Sequence, residues 1–345
     1  MFLSPALIRD IRGGKCVRTI FLTAGDAADN VGGNAFQRRC YWLERERGNR
    51  AAYALMAGVK NVWKESHIQV KGHRIVMFTL AGDPKISEIN MRLPDGNPDG
   101  SGSKYHHHQS LWKLRAGEIR AIQAVDGSTS YTKAGLLATV TKLVESFAPN
   151  VIRTQDYITG DFALVGDHSD HTTTAELAHA ASDAYHEPHT FIGYVDYNVA
   201  TRPTNLSGPD LALKQAAFYL YDRHDSQLPC YTAALRANPK NSECDSYATW
   251  LTRQYQVSVG PSWDQPCLVP TLPTSDPPSV GAIEAQIRAQ GCAVGKVTDA
   301  PSDTVADDYV ISLTPAASPK FLPQGTKVAI TQSSGPPDDE SGNTR

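Results

Sequence analysis

The sequence predicts a layered α/β fold with a mainly parallel sheet, followed by a smaller β-rich segment. Three observations carry that expectation. Short apolar runs alternate with stretches of helical periodicity, the pattern of helices laid over a sheet. Of 345 residues, 41% are hydrophobic and 20% charged, ordinary globular usage in a chain long enough for more than one domain. Near residue 260 the composition shifts to the proline-rich "GPSWDQPCLVPTLPTSDPPS", which breaks the pattern and marks a boundary.

The elements follow in order. "SPALIRDIRGG" reads as a helix that Ser4 could cap, with Pro5 in its first turn and Gly13-Gly14 ending it. "KCVRTIFLTAGD" reads as a strand ending in a turn, and "FQRRCYWLERERGNRAAYALMAGV" has helical spacing. "HIQVKGHRIVMFTLA" looks like a hairpin around Lys71-Gly72. Residues 88–110 are rich in Gly, Asn, Asp and Ser and read as a long loop, a lid or a substrate-facing insertion. "GLLATVTKLVESFAPN" is an amphipathic helix and "VIRTQDY" a short strand. In sheets of this kind, sites form where strand C-terminal ends meet helix N-termini.

The formal net charge is −3, and no basic stripe is interleaved with aromatics, so neither nucleic acid nor an anionic membrane is an expected partner. No apolar run approaches the ~18 residues of a membrane span. The opening residues carry charges where a secretory leader has its apolar region, which by itself argues for the cytoplasm. The six cysteines form no CxxC pair, against a thiolate zinc site. Their even number suits disulfides, with Cys230 and Cys244 closing a short loop; six unpaired thiols remain open.

The richest chemistry lies in "GDHSDHTTTAELAHAAS", residues 166–182. Asp170 or Ser169 could cap a helix, and Thr173 with Glu176 has capping-box spacing. His171 would then occupy the first turn, where the helix N-terminus favours neutral imidazole, the form a metal requires. Asp170 could orient a ring. On spacing alone, a satisfied structural or surface pair is the open alternative. The adjacent His106, His107 and His108 read as a solvated loop, and His224 as a surface or pocket-mouth residue.

Taken together, "RTIFLTAGDAAD", "YWLERERGNRAAYALMAGV", "PNVIRTQDY", "DHSDHTTTAELA", "LSGPDLALKQAAFYLYDRHDSQLPC" and "YATWLTRQY" resemble the PIG-L (LmbE-like) N-acetylglucosaminyl deacetylase family over residues 1–256. The resemblance implies a Rossmann-like fold and one metal ion per site, Zn2+ or another divalent cation, hydrolysing an N-acetyl amide on glucosamine. By position, His171 is the metal ligand, His168 the oxyanion-stabilising residue and Asp170 its orienting carboxylate. Arg45 and Glu46 match an Arg-Glu pair behind the sugar site, with an intrahelical ion pair as the alternative. Asp26 and Asp29 lie at a strand end near the expected pocket, where turn formation explains them equally. Ser169 stands where the family motif has proline. The family's His-Pro-Asp-Asp motif, which supplies two ligands and the base, does not occur in the 345 residues. The expectation is therefore that the other ligands and the central first strand are missing from this chain. The metal would then be weakly bound or absent, and the fold marginal.

"CLVPTLPTSDPPSVGAIEAQIRAQGCAVGKV" with "DDYVISLTPAASPKFLPQGTKVAITQSSG" resembles a PASTA domain, which implies a peptidoglycan partner through residues 267–335. The expected organisation is a deacetylase-like domain over 1–258, a linker over 259–266, the PASTA-like domain over 267–335 and a disordered tail over 336–345. The expected function is N-deacetylation of an N-acetylglucosaminyl compound of the bacterial cell envelope by a secreted or surface protein. The alternative is a catalytically inactive carbohydrate- or cell-wall-binding protein on the same fold.

Overall fold

The computed structural model describes all residues except 28, 30, 33–34, 159–161, 239, 261–266, 274, 318–321, 323–325 and 337–345. Most of the expected linker and nearly all of the expected tail therefore lie outside the described residues.

The chain begins with α1 (Ala6–Arg12), β1 (Val17–Thr23) and α2 (Ala35–Ala57), followed by β2 (Trp63–Val70), β3 (His73–Leu80) and β4 (Ile86–Leu93). Pro5, not Ser4, occupies the N-cap of α1 and makes no side-chain cap bond, and Gly13 closes the helix. β2 and β3 form the expected hairpin. Lys71 and Gly72 both have positive φ, 50° and 85°, which matches the right-handed twist of the two strands.

The four strands make one sheet in the order β1-β4-β3-β2. β4 runs parallel to β1 but antiparallel to β3, and β3 antiparallel to β2. The sheet is thus mixed, because the tight hairpin forces one antiparallel pairing and β4 adds a second. A further correction concerns residues 88–93, expected in a loop: they complete β4, the strand between β1 and β3. Glu88 and Asn90 conceal its apolar face, since Ile86, Ile89, Met91 and Leu93 are all at most 2% exposed. Their burial contributes about 1.5–3 kcal/mol each.

After β4 come α3 (Leu111–Ala116), the two-residue strands β5 (Ile122–Gln123) and β6 (Ser130–Tyr131), α4 (Lys133–Phe147) and β7 (Val151–Thr154). The chain continues with α5 (Phe162–Val165), α6 (Ser169–Asp183), β8 (Thr190–Tyr194), α7 (Gly208–Asp222), α8 (Ala233–Arg236), α9 (Glu243–Leu251) and β9 (Gln256–Gly260). A second sheet has the order β7-β8-β9.

Both faces of the four-stranded sheet are covered. On one, Ile8 and Ile11 of α1, Ala52 and Met56 of α2 and Ala217 of α7 pack with Leu80 and Ile86. On the other, Leu111 and Leu114 of α3, Leu136, Val140 and Leu143 of α4 and Ala181 of α6 pack with Ile89, Met91 and Leu93. Alternate residues of β4 supply the two cores, as the two-residue period of a strand requires. Cys230 and Cys244 form a disulfide, while Cys16 and Cys40 are free.

The chain divides into two units: residues 1–149, 153–185 and 192–258, and residues 150–152, 186–191 and 259–345. In the second, α10 (Val280–Ala289) is followed by β10 (Ala293–Ala300), β11 (Val310–Thr314) and β12 (Lys327–Ser333), in sheet order β10-β12-β11. Ile283 and Ile287, one helical turn apart and fully buried, pack with Val328 and Ile330. A Cys267–Cys292 disulfide closes this core. No helix among the described residues is long and apolar enough to cross a membrane.

Candidate active site at the start of α6

Four loops leave strand ends carrying a buried carboxylate: Asp26 after β1, Asp95 after β4, Asp156 after β7 and Asp196 after β8. The N-terminus of α6 adds Asp167, His168, Asp170 and His171. The N-cap is His168 rather than Ser169 or Asp170, its Nδ1 accepting the backbone N–H of Asp170. An imidazole thus does the work usually given to a short side-chain oxygen. Ser169 ties the helix start to the loop after β4, donating from Oγ to the Asn97 carbonyl at 2.6 Å and from its N–H to the Pro98 carbonyl at 3.1 Å. Proline could make neither bond. Gly96 is required by closeness: a Cβ there would lie 2.6 Å from Asp170 Oδ1.

The histidines sit in two adjoining carboxylate clusters, Asp95–His168–Asp170 and Asp167–His171–Asp196, each compact enough to hold a metal ion. In the first, His168 Nε2 lies 3.5 Å from Asp95 Oδ1 and Nδ1 lies 4.0 Å from Asp170 Oδ2. Burial works against the imidazolium, but Asp95, Asp170 and Asp167 outweigh it and raise the His168 pKa. Burial also pushes the Asp95 carboxyl up, yet His168 and the Asn97 N–H hold it below its ordinary range. Asp170 moves the other way. Burial and the Asp95 charge raise it, against His168 and the Gly96 N–H, and its Oδ1 has no partner among the described residues.

In the second cluster, His171 Nδ1 lies 2.8 Å from Asp167 Oδ1, and the ring contacts Tyr197 and Phe2 edge-on at 4.8 and 6.1 Å between centroids. Burial lowers the His171 pKa even against the pull of Asp167. Asp196 is fully buried; burial, followed by the Asp167 charge, raises its pKa well above the ordinary value. Its Oδ2 accepts the Asp156 N–H at 3.4 Å, and Oδ1 has no partner among the described residues. Asp167 and Asp196 stand beside His171 in a group compact enough to hold a metal ion.

Of the other anticipated residues, Asp26 belongs to this group. Its Oδ1 accepts the Asp95 N–H at 2.8 Å and its Oδ2 lies 2.7 Å from His106 Nε2. His106, expected in a solvated loop, is thus fastened to a buried acid. Asp29 is exposed and accepts the Lys104 N–H at 3.3 Å. Arg45 and Glu46, consecutive on α2, diverge. Arg45 donates to Tyr221 Oη at 2.7 Å and the Gly25 carbonyl at 2.6 Å. Its charge reaches the site and helps to lower Asp95. Glu46 turns to Arg92 at 2.8 Å and, within the helix, Arg50 at 3.5 Å. His224 makes a backbone bond to Tyr221, and nothing described links it to the cluster.

Asp95, Asp167, Asp196 and His106 are the members that sequence reasoning missed. Asp95 and Asp196 each stand two residues beyond a strand, a position that would have been informative had β4 been assigned correctly. No family model, no curated protein and no solved structure matches the chain.

Proposed function

We propose that the chain is a metal-dependent amide hydrolase that removes the acetyl group from an N-acetylglucosaminyl compound. The observation that carries this reading is the pair of adjoining carboxylate–histidine clusters at the start of α6, each compact enough to hold a metal ion.

The second cluster fits a divalent cation, since Asp196 presents a buried carboxylate oxygen with no partner among the described residues and unpaired buried charge is costly. His171, Asp167 and Asp196 would hold it, a nitrogen and carboxylate set suited to Zn2+. When bound, the cation supplies Lewis acidity to the amide carbonyl. His168, its Nδ1 accepting the Asp170 N–H at 3.2 Å, would donate from Nε2 to the carbonyl oxygen as it gains negative charge. Asp95 and Asp170 fix the ring. Water would add to the carbonyl carbon, the C–N bond would break as the nitrogen takes up a proton from that water, and acetate and the amine would be the products. Arg45 is the substrate-binding candidate of the pair, its charge reaching Asp95. Glu46, engaged by two arginines, is better explained as an ion-pair residue.

The Rossmann-like and PASTA-like readings of the two units belong to the same proposal, with residues 267–335 engaging peptidoglycan and the substrate in the bacterial envelope. Two disulfides suit maturation in an oxidising compartment, which supports a secreted or surface protein. The rival reading, an inactive carbohydrate- or wall-binding protein, is favoured by the absence of His-Pro-Asp-Asp from these residues. Acetate release from N-acetylglucosaminides by Zn2+-loaded protein, lowered about 10²–10⁴-fold in His168→Ala, is the expected result. Glycan binding with no acetate released would establish the rival.

A further inference from the structure

One buried carboxylate grips the loop after β4 at two places. Asp26 is 1% exposed. Its Oδ1 accepts the Asp95 N–H at 2.8 Å, and its Oδ2 lies 2.7 Å from His106 Nε2. Asp95 Oδ1 in turn lies 3.5 Å from His168 Nε2, the nitrogen assigned to the substrate carbonyl. We propose that Asp26 and His106 are positioning residues for that reaction: together they fix Asp95, and through it the direction in which His168 Nε2 points. The inference rests on the deacetylase reading, but the grip itself can be measured without it.

The chemistry of the pair explains why His106 matters. A carboxylate only accepts, so the ring nitrogen facing it carries the proton, at the spacing of a charge-assisted bond. Without that donor, Oδ2 would be a bare anionic oxygen on a buried side chain, which costs more than the net gain from making the bond. The Asp26 carboxylate would then turn or take up water, and either change disturbs Oδ1 and the Asp95 N–H it holds.

The loop is built to bring His106 to this place. His106 ends a 3₁₀ turn, Lys104–His106, whose cap Ser103 accepts the Tyr105 N–H through Oγ at 3.1 Å. Gly102 donates to the Gly96 carbonyl at 2.9 Å. Its φ is 69°, and a Cβ there would lie 2.5 Å from the Gln109 carbonyl oxygen, so glycine is required for this close approach. Lys113 Nζ ties down the Ser101 and His108 carbonyls at 2.6 and 3.1 Å. At the other end of the loop, the Gly96 N–H reaches Asp170 Oδ2 at 3.1 Å. Releasing Asp95 therefore disturbs both carboxylates beside His168.

Hydrogen exchange at the Asp95 amide reads the grip, and kcat reads its consequence. His106→Ala removes the donor, whereas His106→Gln offers an amide N–H to the same oxygen. In His106→Ala the Asp95 amide should exchange about tenfold faster, and in His106→Gln it should stay protected. With Zn2+-loaded protein, His106→Ala should lower kcat about tenfold or more, with KM and metal content unchanged, and His106→Gln should recover most of the loss. An Asp95 amide equally protected in both variants would overturn the proposal whatever the activity. So would faster exchange with an undiminished kcat, or a fall in kcat that His106→Gln does not reverse. Faster exchange in His106→Ala beside a wild type that releases no acetate would sink the deacetylase reading, leaving Asp26 and His106 as a fastening of the loop alone.

Discussion

His168 and His171 lie on one turn of α6 with their ring centroids 5.4 Å apart, yet their surroundings drive them in opposite directions. Both are largely enclosed, and burial depresses both. For His168, Asp95, Asp170 and Asp167 together overcome that cost; for His171, Asp167 does not. Proximity in sequence therefore says little about charge state. What decides it is the number of carboxylates gathered by strands that lie far apart along the chain.

The largest effects should come from removing either ring. His171→Ala should abolish tight metal binding and reduce acetate release to background. His168→Ala should leave the metal in place while lowering kcat about 10²–10⁴-fold. Metal content by elemental analysis, beside turnover, checks both. Equal metal loss in the two variants would end the division of roles.

Glu88 provides a third, contrasting case, a buried acid without a rescuing partner. It is 0% exposed and neither carboxyl oxygen has a hydrogen-bond partner among the described residues. Burial raises its pKa from 4.5 to about 8, with Arg50 pulling it back and Glu46 adding to the rise. A raised folded-state pKa means stability is complete below about pH 4.5 and is lost as pH rises toward 8. At pH 7 the loss is about 3 kcal/mol. Glu88→Gln should remove that slope and stabilise the protein by a similar amount at pH 7, as read by urea unfolding across pH.

The contrast was only partly legible in the sequence. The Lys71-Gly72 hairpin, β1, α4 and the histidine-bearing helix announce themselves through turn residues and periodicity. β4 does not, because Glu88 and Asn90 interrupt the apolar run of a strand buried on both faces, and such polar insertions read as loop. With β4 went Asp95, and with Asp95 went a reason for the raised His168 pKa. The cap was missed because no short side-chain oxygen fills it: His168 Nδ1 takes that place.

A smaller effect separates stability from function. Asp196→Asn should leave metal-free protein at least as stable, since burial already drives this carboxyl toward its neutral form. The same change should weaken Zn2+ binding by more than the roughly 10-fold that loss of an outer-shell partner costs, because it removes an anionic ligand. Calorimetry with and without metal checks both signs. Destabilisation of the metal-free form would show that Asp196 has a structural partner instead.

The smallest effect is a pair of opposed slopes in chelator-treated protein. The raised His168 pKa stabilises the fold below about pH 6.5 and loses that contribution as pH rises through the folded value. The lowered His171 pKa does the reverse, so stability is lost as pH falls through 6.5 toward its folded value. Ring C2–H shifts followed with pH resolve the two.

Histidine ring ¹⁵N spectra recorded through a Zn2+ titration test the pairing of roles most directly. One equivalent should shift the His171 nitrogens to the position of a coordinated ring while the His168 nitrogens show no coordination shift. Coordination at His168 with an unmoved His171, or no change in either ring, would contradict the account.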